Sequence, residues 1–210
     1  MIRILIVDDH TVVRRGLAQI LEKSGDKEIV ASYANASEAL NWLHRNDCDI
    51  AIVDIAMPDM SGIDMLMYLR KEKPKLPVLI LSAYPEEQYA VRLLKAGAAG
   101  YLNKECAPDE IEGAVRCVLE GRRYVSPAVV ELLANEVSMP TGKLPHETLS
   151  IREYQIFLLI ASAHSTANIA EKLKLSVKTI GTYRSRIMEK MHLHNNIDLA
   201  RYADEHHLFL

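Results

Sequence analysis

Over the first 120 positions, apolar residues follow two alternating rhythms. Continuous short runs, Ile4-Leu5-Ile6-Val7, Ile50-Ala51-Ile52-Val53 and Val78-Leu79-Ile80-Leu81, read as strands buried on both faces. Residues 28–33 and 100–103 read as two more strands. Between the runs the spacing becomes helical: Val12, Val13, Leu17, Ile20 and Leu21, then Ala39, Leu40 and Leu43, then Ile63, Leu66 and Leu69. Val91 and Leu94 mark a fourth helix, and Ile111, Ala114, Val115 and Val118 a fifth. Strands alternating with helices of this length predict a parallel sheet covered on both sides, an α/β flavodoxin-like domain.

The rhythm breaks at about residue 121. A short apolar helix is expected over 127–135, with Val129, Val130, Leu132 and Leu133. Residues 138–145, Ser-Met-Pro-Thr-Gly-Lys-Leu-Pro, carry two prolines and a glycine without period and read as a linker. From there on the pattern is helical only. Ser150-Ile151-Arg152-Glu153 is a capping box opening a helix with Ile156, Leu159 and Ile160 inward. A short helix around Ile169, Ala170 and Leu173, a turn at Leu175-Ser176 and a longer helix Val177–Met191 make a helix-turn-helix. Asn196 starts a last helix carrying Ile197, Leu199, Ala200 and Ala203. The domain bounds that follow are 1–121, a linker with a short helix over 122–147, and an all-α four-helix domain over 148–210.

A length of 210 residues suits two such domains, and no segment approaches the roughly 20 apolar residues of a membrane span. Met1 to Val7 is too short for the apolar region of a signal peptide, so a cytoplasmic protein without membrane partners is expected. Three cysteines, Cys48, Cys106 and Cys117, with no CxxC spacing, indicate neither a disulfide framework nor a zinc site. The net charge of −3 hides an asymmetry. Residues 1–120 hold 14 Lys+Arg against 19 Asp+Glu, whereas residues 145–210 hold 8 against 7 with six histidines besides. The acidic half suits a cation; the other half suits a polyanion.

In doubly wound sheets, ligands bind outside the carboxyl ends of the strands where the strand order reverses. Asp8-Asp9 follows the first run and Asp54 ends the third; with order 2-1-3-4-5 these three carboxylates converge. Ser82 and Lys104 close two later runs and stand on the same rim. Two unit charges about 4 Å apart repel by about 4 kcal/mol at an effective dielectric near 20, which a hard divalent cation relieves. Acids for a metal, a carboxylate nucleophile, and a hydroxyl and ammonium for phosphoryl oxygens together form a phosphoryl-transfer site. In the last domain, Lys178, Thr179, Thr182, Tyr183, Arg186 and Lys190 fall opposite the apolar stripe Val177, Ile180, Ile187 and Met191, with Arg184 and Ser185 beside them. Residues 176–191 carry four bases and one acid, a face suited to phosphates and base edges.

Residues 1–120 resemble the receiver domain of two-component response regulators. Val7-Asp8-Asp9, Asp54 with Met57-Pro58 and Gly62, Ser82-Ala83, Lys95-Ala96-Gly97-Ala98 and Gly100-Tyr101-Leu102-Asn103-Lys104 carry the resemblance. It implies that Asp54 is the phosphoacceptor, and that Asp9, Asp54 and the Ala56 backbone carbonyl hold Mg²⁺, with Asp8 acting through water. It further implies that Ser82 and Tyr101 are a switch pair and that Lys104 binds phosphoryl oxygens. Residues 148–210 are similar to the LuxR-type DNA-binding domain through Leu149 to Glu153, Ile169-Ala170-Glu171-Lys172-Leu173, Leu175 to Ile180 and Arg184 to Met191. Ala163 stands where glycine is usual between the first two helices of that domain, and Gly181 lies inside the recognition helix.

The whole chain therefore resembles NarL/FixJ-class regulators. The implied function is phosphotransfer from a sensor histidine kinase to Asp54, switching dimerisation and binding of double-stranded DNA to regulate transcription. A homodimer and RNA polymerase are further implied partners. Such a protein is no enzyme beyond its own phosphorylation and dephosphorylation. One alternative is a DNA-binding regulator controlled by a partner protein or small molecule without phosphate. A hydrolase with an aspartyl-phosphate intermediate would need a general acid, commonly an Asp two residues past the nucleophile, where this chain has Ala56.

Overall fold

The computed structural model describes residues 1–57, 60–138 and 144–208, with side chains left aside over 135–138. The chain divides into two compact units, Met1–Glu136 and Val137–Leu210. In the first, strands β1 (Ile2–Val7), β2 (Lys27–Tyr33), β3 (Ile50–Asp54), β4 (Val78–Ser82) and β5 (Gly100–Asn103) alternate with helices α1 (Thr11–Glu22), α2 (Ala36–Leu43), α3 (Gly62–Glu72), α4 (Glu86–Lys95) and α5 (Pro108–Leu119). All strand pairs are parallel, in the order β2-β1-β3-β4-β5. Every residue of β3 and β4 is buried, as continuous apolar runs require when helices cover both faces. Leu17 and Leu21 of α1 and Ile111, Ala114, Val115 and Val118 of α5 pack with Ile4, Ile52, Leu79 and Leu102 in one core.

The expected inward stripe of α1 needs one correction. Val12 is 84% exposed, whereas Val13, Leu17, Ile20 and Leu21 repeat at helical spacing toward the sheet. Val12 lies about 100° round the helix from Val13, off the buried side.

The segment after α5 is built into the first unit. Tyr124 pairs as an isolated parallel bridge with Gly100, and its hydroxyl donates to Glu110 Oε1 at 2.9 Å. Ser126 donates to the Glu86 carboxylate at the start of α4, and its hydroxyl also accepts the Val129 N–H. Val129 is 1% exposed, so helix α6 (Pro127–Ser138) begins as part of that unit's packing. Of the linker read from the sequence, residues 139–143 lie outside the described residues.

The second unit follows a 3-10 turn at Pro145–Thr148 with α7 (Ile151–Ala161), α8 (Thr166–Lys172), α9 (Val177–Met191) and α10 (Asn196–Glu205). Helix α7 packs on α9 and α10, and α8 on α9. Each of the four helices opens on a Ser or Asn side chain that accepts a backbone N–H three residues on: Ser150, Ser165, Ser176 and Asn195. Ser150 and Glu153 complete the capping box read from the sequence.

After α7 the chain turns through Ala163, whose φ of 62° lies in the left-handed region. The Ala163 N–H donates to the Ile160 carbonyl and the His164 N–H to that of Leu159, the helix-ending pattern that glycine serves best. A Cβ in this conformation costs about 1–2 kcal/mol. Ala163→Gly is therefore expected to stabilise the second unit by about 1 kcal/mol, net of the extra freedom glycine gives the unfolded chain. Urea unfolding of the two proteins measures this; an unchanged or lowered midpoint would show that the turn carries no strain.

Candidate functional site

The adjacency of β1 and β3, with β4 and β5 following in order, brings the expected acids to one rim. Asp8 and Asp9 follow β1, Asp54 ends β3, Ser82 ends β4, and Lys104 follows β5. The Lys104 N–H donates to the Ser82 carbonyl at 2.8 Å, which fixes the loop. Its ammonium then stands 2.8 Å from Asp8 Oδ2 and 2.8 Å from Asp54 Oδ2. Asp8 and Asp54 are 1% and 2% exposed.

Burial raises the pKa of Asp54, the charge of Asp8 adds to the rise, and Lys104 opposes it. For Lys104, burial works against the charge, but hydrogen bonds to Asp54 and Asp8 outweigh it and its pKa is raised. The ammonium is thus firmly charged between two crowded carboxylates.

Asp8, Asp9, His10 and Asp54 each bring a ligand atom within 4.8 Å of the others. Asp54 Oδ1 is buried and makes no hydrogen bond among the described residues, while the Ala56 backbone weakly favours the charged form of the carboxyl group. Three carboxylates with an unsatisfied buried oxygen suit a small, hard, oxygen-seeking cation such as Mg²⁺. The residues present fit that ion.

His10 was not foreseen from the sequence. Its Nδ1 lies 3.2 Å from Asp8 Oδ1 and 2.7 Å from Asp9 Oδ1, and its backbone N–H donates to Asp8 Oδ1 at 2.8 Å. The only signal available was its place directly after Asp8-Asp9. Gly62 also matters more than a turn former would. A Cβ there would fall 2.0 Å from the Asp54 carbonyl oxygen, so only glycine lets α3 start this close to the end of β3.

Ser82 and Tyr101 lie side by side in the structure. Ser82 is fully buried, and its hydroxyl accepts the Tyr84 N–H at 3.1 Å. Tyr101 is 1% exposed, with its hydroxyl donating to the Tyr84 carbonyl at 2.6 Å; burial pushes its pKa well up. The loop residue joining the two, Tyr84, had no sequence signal. Ala56 lies exposed in the loop after β3, while Pro58 is outside the described residues.

In α9, Ile180, Ile187 and Met191 are buried, but Val177 is 54% exposed. As the first residue of the helix it projects past the core, contrary to the stripe read from the sequence. Lys178, Thr182, Arg186 and Lys190 are exposed, and Thr179, Tyr183 and Arg184 half-buried. Two of these have internal partners. Arg184 Nε donates to Asn196 Oδ1 at 2.8 Å, and Lys190 Nζ to Glu153 Oε2 at 2.7 Å.

Burial would raise the Glu153 pKa, but hydrogen bonds from Lys190 and Ser150 leave it below the ordinary carboxylate value. A depressed acid adds stability above its unfolded pKa, and that stability is lost as pH falls through the folded value. The second unit should therefore lose stability as pH drops below about 4.5, the ordinary value for Glu. In Glu153→Gln this acid-side slope should flatten, as thermal melts between neutral and acid pH will show. An equal slope in both proteins would assign the acid sensitivity elsewhere.

Among the described residues no helix is long and apolar enough to cross a membrane. Residues 4–116 match the response regulator receiver domain family, and residues 147–203 match the luxR family of bacterial regulatory proteins. The chain is 32% identical over 209 residues to response regulator UvrY of Escherichia coli (strain K12), covering 99% of this chain and 96% of UvrY. It is 35% identical over 207 residues to response regulator GacA of Pseudomonas aeruginosa, covering 98% and 97%. Among solved structures it resembles RcsB from Salmonella enterica serovar Typhimurium bound to promoter rprA with the phosphomimetic BeF3⁻. There the TM-score is 0.73 at 25% identity, over 96% of this chain and 97% of RcsB. The flavodoxin-like sheet, the helix-turn-helix unit and these end-to-end likenesses agree: the chain belongs to the NarL/FixJ family of two-component response regulators, which regulate transcription through a DNA-binding domain.

Proposed function

We propose that Asp54 accepts a phosphoryl group from a sensor histidine kinase and that its phosphorylation controls dimerisation and DNA binding. The observation that carries this reading is the Lys104 ammonium held 2.8 Å from both Asp8 and Asp54 at the carboxyl ends of the strands. A charge so placed meets the phosphoryl oxygens once Asp54 bears them. In the proposed step an Asp54 carboxylate oxygen attacks phosphorus in line, and the bond from phosphorus to the kinase imidazole breaks.

Asp9, Asp54 and the Ala56 backbone carbonyl would hold Mg²⁺, with Asp8 reaching it through water; the ion would neutralise the carboxylates and the spreading charge. Lys104 stabilises the phosphoryl oxygens from the other side. The Ser82 hydroxyl donates to one of them, and Tyr101 keeps the inward position that fills the space beside it. The same rim hydrolyses the acyl phosphate slowly, which is the only catalysis proposed.

Lys178, Thr179, Thr182, Tyr183, Arg184 and Arg186 are proposed to meet the major groove, with Lys190 adding phosphate contact while it holds Glu153. The proposed functional division is a receiver over 1–121, a connecting segment over 122–147 whose start packs on the first unit, and a DNA-binding domain over 148–210. A homodimer on two-fold DNA, contact with RNA polymerase and a cytoplasmic location complete the proposal. Structures of RcsB bound to promoter rprA and of two RcsB dimers bound to two parallel DNAs support the dimeric part by analogy.

Intact-protein mass after incubation with acetyl phosphate and Mg²⁺ tests the chemistry. One added phosphoryl group in the natural chain and none in Asp54→Asn is the expected result. Equal uptake by both proteins would move the acceptor elsewhere.

A further inference from the structure

The acid rim uses only the carboxyl ends of the strands. At the opposite, amino ends, a pocket of about 650 Å³ opens where β1, β3, β4 and β5 begin and α3 and α5 end. Arg70, Lys75, Arg122 and Arg123 line it, against a single carboxylate, Asp49; Val118 contributes to its apolar wall. Strands of four to six residues separate this pocket from the rim by about 15 Å.

The positive charge inside is poorly neutralised. Asp49, whose Oδ2 accepts the Arg3 backbone N–H at 2.7 Å, is one carboxylate against four bases, and Arg122 pairs with Glu120 at the solvent edge. Arg70 donates to the carbonyls of Pro74 and Leu76, and Arg123 to that of Leu94. Carbonyls orient a guanidinium without cancelling its charge.

Arg70 Nε is buried without a hydrogen-bond partner among the described residues, and burial lowers the pKa of the side chain. The backbone has made room for this arginine: Gly97, at φ 100°, would place a Cβ 2.8 Å from Arg70 Cδ. The negative ends of α3 and α5 attract cations one at a time. They do not account for a half-buried guanidinium, its Nε unpartnered among the described residues and its other donors held by carbonyls, beside a pocket of ligand size.

We propose that this pocket binds a small phosphorylated molecule of mononucleotide size. Its phosphate would lie on Arg70, Lys75 and Arg123, and its apolar part against the wall at Val118. The volume falls within the range of small-molecule sites, and forked guanidinium donors match phosphate oxygens.

The test is a titration of the ¹⁵N-labelled full chain with AMP in magnesium-free buffer, with adenosine as control. Saturable amide shifts at Gly97, Ala98 and Ala99 with AMP and none with adenosine are expected. Affinity should fall at least about tenfold in Arg70→Gln and equally in the doubly substituted Lys75→Gln/Arg123→Gln. The latter changes only exposed side chains and so keeps the fold if Arg70→Gln does not. Shifts confined to Val177–Met191, undiminished affinity in the double variant, or no saturation at millimolar AMP would overturn the proposal.

Discussion

Gly62→Ala is expected to destabilise the first unit by about 3 kcal/mol. The added Cβ would lie 2.0 Å from the Asp54 carbonyl oxygen, 2.8 Å from its carbonyl carbon and 3.1 Å from Ile55 Cα. All three are backbone atoms, so no side chain can swing aside. Relief requires the start of α3 to retreat from β3, which breaks the 3.0 Å hydrogen bond from the Gly62 N–H to the Ile55 carbonyl. It also loosens the buried Ile63 and Leu66. Because the chain has two units, the loss should appear as an earlier first transition in urea, with the second unit's transition unmoved. Phosphoryl uptake should fall in parallel, since Asp54 is carried on the displaced backbone. A variant with the natural midpoint would refute the close approach on which the geometry of the rim depends.

Lys104→Met should have an effect of comparable size, and its magnitude depends on the cation. Removing the ammonium leaves Asp8 and Asp54 buried beside each other without their shared partner. Breaking such a pair costs about 3–5 kcal/mol when the remaining charge stays buried. Protonation of Asp54, whose pKa burial already raises, will soften that cost at lower pH. In magnesium-free buffer at neutral pH the variant should therefore melt well below the natural protein. Millimolar Mg²⁺ should recover most of the difference, because a divalent ion on the same carboxylates does the neutralising. Phosphoryl transfer should remain impaired even with the ion present, since nothing replaces the ammonium at the phosphoryl oxygens. A variant as stable as the natural chain without magnesium would mean that the two acids do not repel as their burial implies.

Much of this was legible in residue order, because buried parallel strands write themselves as uninterrupted apolar runs. Ile4–Val7, Ile50–Val53 and Val78–Leu81 needed no further cue, and the polar residues ending them marked the rim. Helix faces were legible except in the first turn. Val12 and Val177 continued an apolar pattern but project beyond the element they would pack against. Contacts between distant residues were not legible at all. Nothing in the sequence ties Ser126 to Glu86, Tyr101 to the Tyr84 carbonyl, or Lys190 to Glu153. Each arises from the fold's closing of a loop, which periodicity does not record. Tyr124 and Val129 lay in a stretch read as a connector, yet bridge pairing and burial make them part of the first unit.

Whether phosphate on Asp54 governs DNA binding is decided by one comparison of affinities. The affinity of the full chain for a duplex that it has itself selected from a random pool is measured at fixed salt. The comparison runs before and after phosphorylation that intact mass has verified, beside Asp54→Asn treated identically. Tightening of about tenfold or more is expected in the natural chain alone, within the usual range of coupling between two sites. Equal affinity before and after, with the phosphoryl group present by mass, would contradict it and give control of the DNA-binding unit to a partner protein or small molecule.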